Sequence, residues 1–345
     1  MVVRVAVNGI GTIGKRVAHA VKLQKDMKLV AICTRSPSPV IKTVLEPKGP
    51  LYGTDLYASD KEHFQKMKEA GMIVNGTLED MLGRGDIDVI IDCTPAGIGE
   101  KNKKIYEKFK VKQIYQGGEK ASVADVSFVA VANYEKAIGV NSVRVVSCNT
   151  TSLVRTLWTI NENFGIKEAF AALTRRAADP WEDSKGPINA IVPDLKVPSH
   201  HAPDVKTVMP DLNIMSLAVK VPTTLAHVHM VKIKVNKKVS KEDVINAFEK
   251  ATRIILLSGK EGYSSTARII EKFRDLCRPR YDMYEVAIWK ETVDVRNSNV
   301  YWIHMVHQEA IVIPENIDAI RAITGEVTDK WKSIELTNKS LGIIK

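Results

Sequence analysis

The first part of the chain consists of short apolar stretches that alternate with more polar segments. In the polar segments, the apolar residues recur at the spacing of a helix. Apolar residues that alternate or run together predict strands, and apolar residues three or four positions apart predict helices. The predicted strands comprise residues 3–8, 28–34, 88–92, 111–115, 127–132 and 143–146, with a short one at 73–74. Helices are predicted through Ile13, Val17 and Val21 and at residues 61–70, 78–82 and 101–109, and a loop is predicted at 44–60. This alternation is typical of an α/β domain with a parallel sheet.

The pattern changes after a predicted helix at residues 152–163, because longer strands then follow one another. These strands comprise residues 169–174, 217–221, 225–235, 284–289, 292–295 and 300–306, with helices at 241–251 and 266–276. Such a succession predicts a mostly antiparallel sheet. Two further helices, at 315–323 and 328–338, are expected to return to the first domain. We therefore predict a Rossmann dinucleotide-binding domain at 1–147 and 315–345, and an α+β catalytic domain at 148–314.

A glycine-rich turn follows the first strand directly, and it carries Gly9, Gly11 and Gly14 in the spacing G-x-G-x-x-G. The motif alone is weak evidence, but here a strand precedes it and a helix and a second strand follow it. In dinucleotide-binding units the first glycine permits the turn, the second lets the backbone approach a pyrophosphate, and the third lets the helix pack on the sheet. The helix N-terminus then holds the phosphate. The segment therefore predicts a dinucleotide site.

The end of the second strand bears on the choice between NAD and NADP. NAD-selective sites usually carry a carboxylate there for the ribose 2′-hydroxyl, whereas this chain has Thr34 and Arg35. We therefore expect NADP to be accepted and preferred over NAD. Thr94 and Gly97 follow the 88–92 strand and are expected at the same crevice, and Cys93 is expected to serve in packing.

Composition narrows the class of protein. The 345 residues carry a net charge of +10, which suits a nucleic-acid-binding protein or an enzyme for anionic ligands. The basic residues are spread along the chain, and no helix-turn-helix, RRM or basic stripe is visible, which favours the enzyme. The four cysteines are far apart with no C-x-x-C pair, so neither a zinc site nor a disulfide framework is expected. We found no signal peptide and no apolar run of membrane-spanning length, so a cytoplasmic protein is expected.

Cys148 lies where a strand runs into a helix, in the segment 143–151 that reads VRVVSCNTT. The free N–H groups and the positive end of the helix dipole at such a point favour a thiolate and lower the pKa of a thiol. Cys148 is thus a candidate nucleophile. A small buried cysteine before an ordinary helix cap explains the local pattern equally well.

Histidines and arginines could supply the other groups of a catalytic site. His227 and His229 share the apolar face of the 225–235 strand, where a buried core histidine is the common case and a metal site the uncommon one. Because the pair accompanies a candidate thiolate, either histidine could instead act as a general base. The long irregular segment at 175–215 holds a basic cluster that would suit anionic groups. It comprises Arg175, Arg176, Lys185, His200, His201 and Lys206. A solvated basic loop remains the alternative.

Nine segments together resemble phosphorylating glyceraldehyde-3-phosphate dehydrogenase in its archaeal, or type II, branch. They read AVNGIGTIGKRVA, IDCTPAGIG, QGGEK, VVSCNTT, RRAADP, SKGPINAIVP, PSHHAPDVKTV, VPTTLAHVH and VHQEAIVIPENIDAIRAI. They run from residue 5 to beyond 320. In the bacterial and eukaryotic branch a histidine ends the strand after the cysteine helix, where this chain has Thr174, Arg175 and Arg176. In the archaeal branch the base is the first histidine of the stretch P-T-T-L-x-H-x-H, so the resemblance implies His227 as the base.

The resemblance implies reversible oxidation of glyceraldehyde 3-phosphate to 1,3-bisphosphoglycerate, as in glycolysis and gluconeogenesis. Cys148 would form a thiohemiacetal and then a thioester, which inorganic phosphate attacks. The implied cofactor contacts are Thr12, Ile13, Gly118, Arg176 and Gln308. The implied substrate and phosphate contacts are Ser147, Asn149, Thr150, Arg175, His200 and His201. A homotetramer is also implied. Aspartate-semialdehyde dehydrogenase shares the two-domain plan, but its motifs do not match RRAADP or PSHHAPD.

Overall fold

A computed structural model describes residues 2–116, 118–182, 186 and 189–344. Lys185, one of the basic residues named above, lies outside the described residues. The chain divides into two compact units. The first unit comprises Met1–Ser147 and Ile313–Gly342, and the second comprises Cys148–Val312 with Ile343–Lys345.

The first unit is built on a parallel sheet, as the alternation of strands and helices predicts. Its strands are β1 (Val3–Asn8), β2 (Met27–Thr34), β3 (Asp55–Ala58), β4 (Val89–Asp92), β5 (Lys112–Tyr115), β6 (Val126–Phe128) and β7 (Ser142–Val145). They lie in the order β3-β2-β1-β4-β5-β7-β6. Chain order reverses between β1 and β4, which is the point where dinucleotides bind in doubly wound sheets.

Helices connect these strands, and most of them were predicted from apolar spacing. They are α1 (Gly14–Lys22), α2 (Pro39–Leu45), α3 (Lys61–Glu69), α4 (Leu78–Gly83), α5 (Ile98–Lys108) and α6 (Ala130–Asn133). On α1, Val17 and Val21 are fully buried, as the spacing indicates. The prediction for 44–60 was wrong in part, because α2 reaches Leu45 and β3 lies within the segment. The short strand predicted at 73–74 is not formed, and Ile73 is 88% exposed.

The second unit contains a mixed sheet that is mostly antiparallel, as predicted. Its strands are β8 (Ile166–Arg176), β9 (Val192–Pro193), β10 (Ile214–Val221), β11 (His227–Val235), β12 (Ile254–Leu257), β13 (Val286–Trp289), β14 (Asp294–Arg296) and β15 (Asn299–Val306). The order is β12-β13-β15-β11-β8-β10-β9, and β14 pairs with β15. Among the described strands of this sheet, only the pairs β8–β10 and β12–β13 are parallel. The strands β9 and β12 were not predicted.

Helices of the second unit are α7 (Cys148–Phe164), α8 (His201–Lys206), α9 (Lys241–Lys250) and α10 (Thr266–Asp275). Helix α7 begins at Cys148 itself, four residues before the predicted start, and it packs against β8, β11 and β15. Leu153, Leu157 and Ile160 are fully buried. Helix α7 is therefore oriented so that its apolar stripe faces the core. Helix α8 was missed because one turn within an irregular segment leaves no periodic signal.

The last two helices, α11 (Ile313–Thr324) and α12 (Lys330–Leu341), belong to the first unit. The carboxylate of Glu315 accepts a hydrogen bond of 2.6 Å from the backbone N–H of Ala130. The buried guanidinium of Arg321 forms an ion pair with the half-buried Asp26 at 2.7 Å and donates to Thr337. These contacts hold both helices against the sheet of the same unit.

Candidate active site

The glycine-rich turn of the first unit has the close packing and the open space that a dinucleotide site needs. A Cβ atom on Gly14 would overlap the carbonyl oxygen of Gly9, and one on Gly9 would lie 2.8 Å from the backbone of Cys93 and Thr94. A Cβ on Gly11 would meet nothing within 4 Å. Gly9 and Gly14 thus shape the turn, whereas the space beside Gly11 is free for a pyrophosphate. The turn therefore fits the pyrophosphate of a dinucleotide.

The remaining cofactor candidates of the first unit also lie at the carboxyl ends of its strands. The backbone N–H of Gly9 bonds to the Cys33 carbonyl at 2.8 Å, and that of Cys93 bonds to the Asn8 carbonyl at 2.7 Å. These bonds align the carboxyl ends of β1, β2 and β4, so the loops that follow these strands all lie at the same edge of the sheet. This edge carries Gly9, Gly11, Thr12, Ile13, Gly14, Thr34, Arg35, Thr94 and Gly118. Arg35 is exposed and Thr34 is half-buried.

Thr94 is held by a buried carboxylate that sequence reasoning did not single out. Asp92, which is 1% exposed, accepts from the backbone N–H of Thr94 at 2.9 Å and also from its hydroxyl. The hydroxyl of Tyr106 and the amide of Asn102 complete its hydrogen bonds. Asp92 therefore fixes the loop after β4.

In the second unit, Cys148 and His227 lie within contact of each other. The Sγ of Cys148 is 3.5 Å from Nε2 of His227, which is the first residue of β11. Register explains the approach: β11 pairs antiparallel with β8, and Val228 stands opposite Thr174 near the carboxyl end of β8. Cys148 is half-buried, whereas His227 is buried.

The proton on His227 has a defined place. Its Nδ1 accepts a 3.0 Å hydrogen bond from the backbone N–H of Arg176, so the neutral ring carries its proton on Nε2. Burial, together with Arg176 and Arg175, holds the pKa of His227 well below its ordinary value. His227 is therefore neutral near pH 7, and it directs an N–H group at the Cys148 sulfur.

Cys148 itself differs from the expectation drawn from its position. Burial is the largest influence and raises the pKa of the thiol above its ordinary value. Arg176, Arg175 and the backbone N–H groups of Asn149 and Cys148 act in the opposite direction. The predicted net lowering was therefore wrong for this structure, although the helix N-terminus does favour the thiolate, as expected.

His229 does not compete with His227 for the thiol. Its Nε2 lies 2.9 Å from Oδ1 of Asn149, and its Nδ1 lies 3.0 Å from Nε2 of His304. Both ring nitrogens are thus occupied, and the residue is fully buried. Of the two histidines that strand alternation left open, the structure places His227 beside the thiol.

Two of the phosphate candidates share a cavity of about 410 Å³ in the second unit. Arg175 and His200 line it together with Asp194 and Lys220. The Nδ1 of His200 lies 3.4 Å from the Asp194 carboxylate. Three cationic or protonatable groups against one carboxylate make this cavity suited to an anion.

The other substrate candidates occupy different positions. His201 is fully buried behind His200, its pKa is lowered to about 3 by burial, and its Nδ1 contacts Ser199 at 3.0 Å. The Nε2 of His201 has no hydrogen-bond partner in the described part of the chain. The hydroxyl of Thr150 donates to Asp204 at 2.5 Å. Ser147 is the last residue of the first unit.

Two cofactor candidates belong to the second unit. The guanidinium of Arg176 is paired with the Asp179 carboxylate, so its side chain is not free for a ligand in this conformation. The side-chain amide of Gln308 donates to the Thr224 carbonyl at 3.3 Å. His304 and Asp204 are residues that we did not predict. His304 lies an even number of positions from Val300 and Val306, so it is on the same buried face of β15. This alternation could have indicated its burial.

The described residues contain no group of three histidine, cysteine or acidic side chains that could hold a metal ion. Within the same ranges, none of the helices is long and apolar enough to cross a membrane.

A doubly wound dinucleotide unit, joined to a unit that pairs a cysteine with a histidine, defines a dehydrogenase of the cysteine-dependent class. The family model for the C-terminal domain of glyceraldehyde 3-phosphate dehydrogenase matches residues 147–278. That for the N-terminus of dihydrodipicolinate reductase matches residues 3–117.

Curated proteins extend the likeness to the whole chain. The chain is 51% identical over 345 residues to the glyceraldehyde-3-phosphate dehydrogenase of Thermococcus kodakarensis, with full coverage of both chains. It is 50% identical to that of Pyrococcus furiosus, again with full coverage. It is 48% identical to that of Methanopyrus kandleri, covering 99% of this chain and 98% of the relative. The chain belongs to the glyceraldehyde-3-phosphate dehydrogenase family, in its archaeal branch, and NAD or NADP is its cofactor.

Proposed function

We propose that this protein catalyses the reversible, phosphorylating oxidation of glyceraldehyde 3-phosphate to 1,3-bisphosphoglycerate with NADP or NAD. The observation that carries the proposal is the 3.5 Å approach of Cys148 Sγ and His227 Nε2 at the start of α7. A nucleophile at a helix N-terminus with a histidine in contact suits covalent catalysis.

The Cys148 thiol first loses its proton to solvent, and the resulting thiolate then attacks the aldehyde carbon. A C–S bond forms, and the carbonyl electron pair moves to oxygen, which becomes an alkoxide. The backbone N–H groups of Cys148 and Asn149 at the start of α7 stabilise negative charge. Nε2–H of His227 donates to the alkoxide as it forms.

His227 is the acid–base residue implied by the family resemblance, and its hydrogen bond from Arg176 modifies that role. Removal of a hydroxyl proton at Nε2 needs a free lone pair there, which requires a proton on Nδ1 facing the Arg176 N–H. If the thiol ionises before attack, no hydroxyl proton remains to be removed. We therefore propose that His227 acts mainly as a hydrogen-bond donor to sulfur and to the alkoxide.

The bound nicotinamide supplies the hydride acceptor, and loss of hydride leaves a thioester on Cys148. An oxygen of inorganic phosphate then attacks the thioester carbon, the C–S bond breaks, and the thiolate is restored. Arg175 and His200 are proposed to bind a phosphoryl group in the cavity that they line. Ser147, Thr150 and His201 are proposed to contribute to the second anion site, with Asn149 at the oxyanion.

The first unit is proposed to bind the cofactor and the second to perform the chemistry. Cofactor contacts are proposed for Gly9, Gly11, Thr12, Ile13, Gly14, Thr34, Arg35, Thr94 and Gly118 of the first unit, and for Arg176 and Gln308 of the second. The exposed Arg35 and the hydroxyl of Thr34 support acceptance of the NADP 2′-phosphate. Cytoplasmic location is proposed from the metabolic role.

A homotetramer is proposed from the resemblance, and the outer face of the second unit's sheet supports self-association. Met215, Leu217 and Met230 are each more than 40% exposed on this face. Apolar patches of this kind mark interfaces between proteins. Light scattering coupled to size exclusion would give the mass, and a monomer at working concentration would contradict the proposal.

The proposed function is tested by assaying glyceraldehyde 3-phosphate oxidation with and without inorganic phosphate. We expect phosphate-dependent reduction of NADP by the wild type and near-complete loss in Cys148→Ser, because a hydroxyl ionises far less readily than a thiol. Cys277→Ser is the matched control, because Cys277 is an exposed free cysteine in the same unit. Turnover without phosphate, or an active Cys148→Ser variant, would contradict the proposal.

A further inference from the structure

Four buried side chains of the second unit form one continuous hydrogen-bonded chain that ends beside the nucleophile. The indole Nε1 of Trp302 lies 3.0 Å from Nδ1 of His304, and Nε2 of His304 lies 3.0 Å from Nδ1 of His229. Nε2 of His229 lies 2.9 Å from Oδ1 of Asn149. Antiparallel pairing puts His229 opposite His304 and thereby creates the central contact.

The chain has one direction, and the indole sets it. An indole nitrogen can only donate, so Nδ1 of His304 accepts and the neutral ring carries its proton on Nε2. That Nε2–H donates to Nδ1 of His229, which in turn leaves the proton of His229 on Nε2. Complete burial keeps both rings neutral: it lowers the pKa of His304 to about 3 and that of His229 well below its ordinary value.

The last link determines which way the Asn149 amide faces. Because Nε2–H of His229 donates, the acceptor on Asn149 must be its carbonyl oxygen. The amino group, Nδ2, therefore points away from His229, and it makes no hydrogen bond to any residue that the structure describes. Asn149 follows Cys148 directly in α7.

We propose that Trp302, His304 and His229 are positioning residues that hold the Asn149 amino group as a hydrogen-bond donor for the oxygen that becomes negative at Cys148. The inference rests on the proposed function, since the reaction supplies that oxygen. A reversed chain would present the Asn149 carbonyl oxygen to the same charge and repel it. The polarity of the chain is thus what makes Asn149 useful to catalysis.

Stability alone does not account for these groups. Apolar side chains of similar volume can replace buried polar clusters with little loss of stability, whereas a polar cluster imposes one specific arrangement. Here the arrangement imposed is the orientation of a single amide next to the nucleophile. Ser152 packs against the same link: its hydroxyl donates to the backbone carbonyl of Asn149 at 2.9 Å and also lies 3.3 Å from Nδ1 of His229, farther than Nε2 of His304 at 3.0 Å.

The direction of the chain can be tested without any turnover. In protein labelled with ¹⁵N-histidine, long-range ¹H–¹⁵N spectra report which ring nitrogen carries the proton. We expect Nε2–H for both His229 and His304 in the wild type, and a mixture of tautomers for His304 in Trp302→Phe. An Nδ1–H signal for either histidine in the wild type would overturn the inference, whatever the enzyme's substrate.

The kinetic test uses His304→Leu, which removes the donor to His229, and His304→Gln, whose amide can accept from Trp302 and donate to His229. We expect His304→Leu to lower kcat about tenfold or more, with the KM values for substrate and cofactor changed less than twofold. His304→Gln should recover most of that loss. Equal activity of the two variants, or a loss confined to KM, would overturn the proposal.

A double-mutant cycle identifies Asn149 as the residue through which the chain acts. We expect Asn149→Ala to lower kcat about 10²-fold, and His304→Leu to add nothing to that loss in the Asn149→Ala background. If the two losses in kcat multiply in the double variant, His304 acts by a route other than Asn149, and the proposal is overturned. If His304→Leu does not fold, Trp302→Phe takes its place in the cycle. Absence of phosphate-dependent turnover in the wild type would contradict the proposed function and leave the tautomer test valid.

Discussion

The Sγ of Cys148 lies 3.5 Å from Nε2 of His227, and that nitrogen carries the proton of the neutral ring because Nδ1 accepts from the backbone of Arg176. The two residues are 79 positions apart, at the start of α7 and the start of β11. The pair therefore meets as donor and sulfur acceptor. In this arrangement the neutral ring presents an N–H group, and not a lone pair, to the sulfur.

Replacing His227 separates these two roles. We expect His227→Ala to lower kcat by about 10²–10⁴-fold, the range for loss of an acid–base or oxyanion group. His227→Gln retains an N–H donor, so it should keep at least about tenfold more activity than His227→Ala. Steady-state kinetics with both variants give the measurement. Equal losses would favour the general-base role implied by the family resemblance.

Buried histidines should make stability fall in acid. The folded pKa of His304 and of His201 is about 3, below the ordinary 6.5, so the unfolded chain binds more protons between these pH values. The contribution of these histidines to the free energy of unfolding is therefore fully present above about pH 6.5. It is lost as the pH falls towards 3, by up to about 1.4 kcal/mol per pH unit for each histidine.

Urea unfolding at pH 7.5, 6 and 5 measures this dependence. We expect the free energy of unfolding of His304→Gln to fall less steeply as the pH is lowered, because one buried histidine no longer takes up a proton on unfolding. His63→Gln is the control, since His63 lies outside the core on α3. An unchanged slope in His304→Gln would contradict the assignment of neutral His304 to the folded state.

The glycine-rich turn offers a matched pair of substitutions. Gly11→Ala should leave the melting temperature unchanged, because a Cβ there meets open space, and should weaken cofactor binding by occupying the room left for the pyrophosphate. Gly14→Ala should lower the melting temperature strongly, since its Cβ would overlap the Gly9 carbonyl. Calorimetry and cofactor titration distinguish the two effects. Unaltered cofactor affinity in Gly11→Ala would argue against a pyrophosphate at this turn.

Arg35 should contribute to the use of NADP. We expect Arg35→Ala to lower kcat/KM for NADP about tenfold, the loss of one charged contact of about 1.4 kcal/mol, and to leave kcat/KM for NAD nearly unchanged. The difference should shrink at high salt, since Arg35 is exposed. Wild-type kinetics provide the further check, because thirtyfold better use of NAD would contradict the expected preference for NADP.

Much of the first unit follows from local sequence. Alternation located β1, and the glycine spacing located the turn after it, because close packing of Gly14 on Gly9 leaves no room for a side chain. The short edge strand β3 was hidden, since its four residues follow a segment rich in turn-forming prolines and glycines. An apolar pair at 73–74 was mistaken for a strand, because apolar character alone does not say whether a residue finds a partner to bury it.

The amino-acid sequence by itself determined the dinucleotide-binding unit, the place of Cys148 at a strand-to-helix junction, and the family. These depend on short-range spacing, which is readable along the chain. Only the tertiary structure decided that His227 rather than His229 meets the thiol, that His229 pairs with His304, and that burial raises the thiol's pKa. The reason is physical: strand register joins residues far apart in the chain, and hydrogen-bond direction and desolvation depend on the neighbours that register supplies.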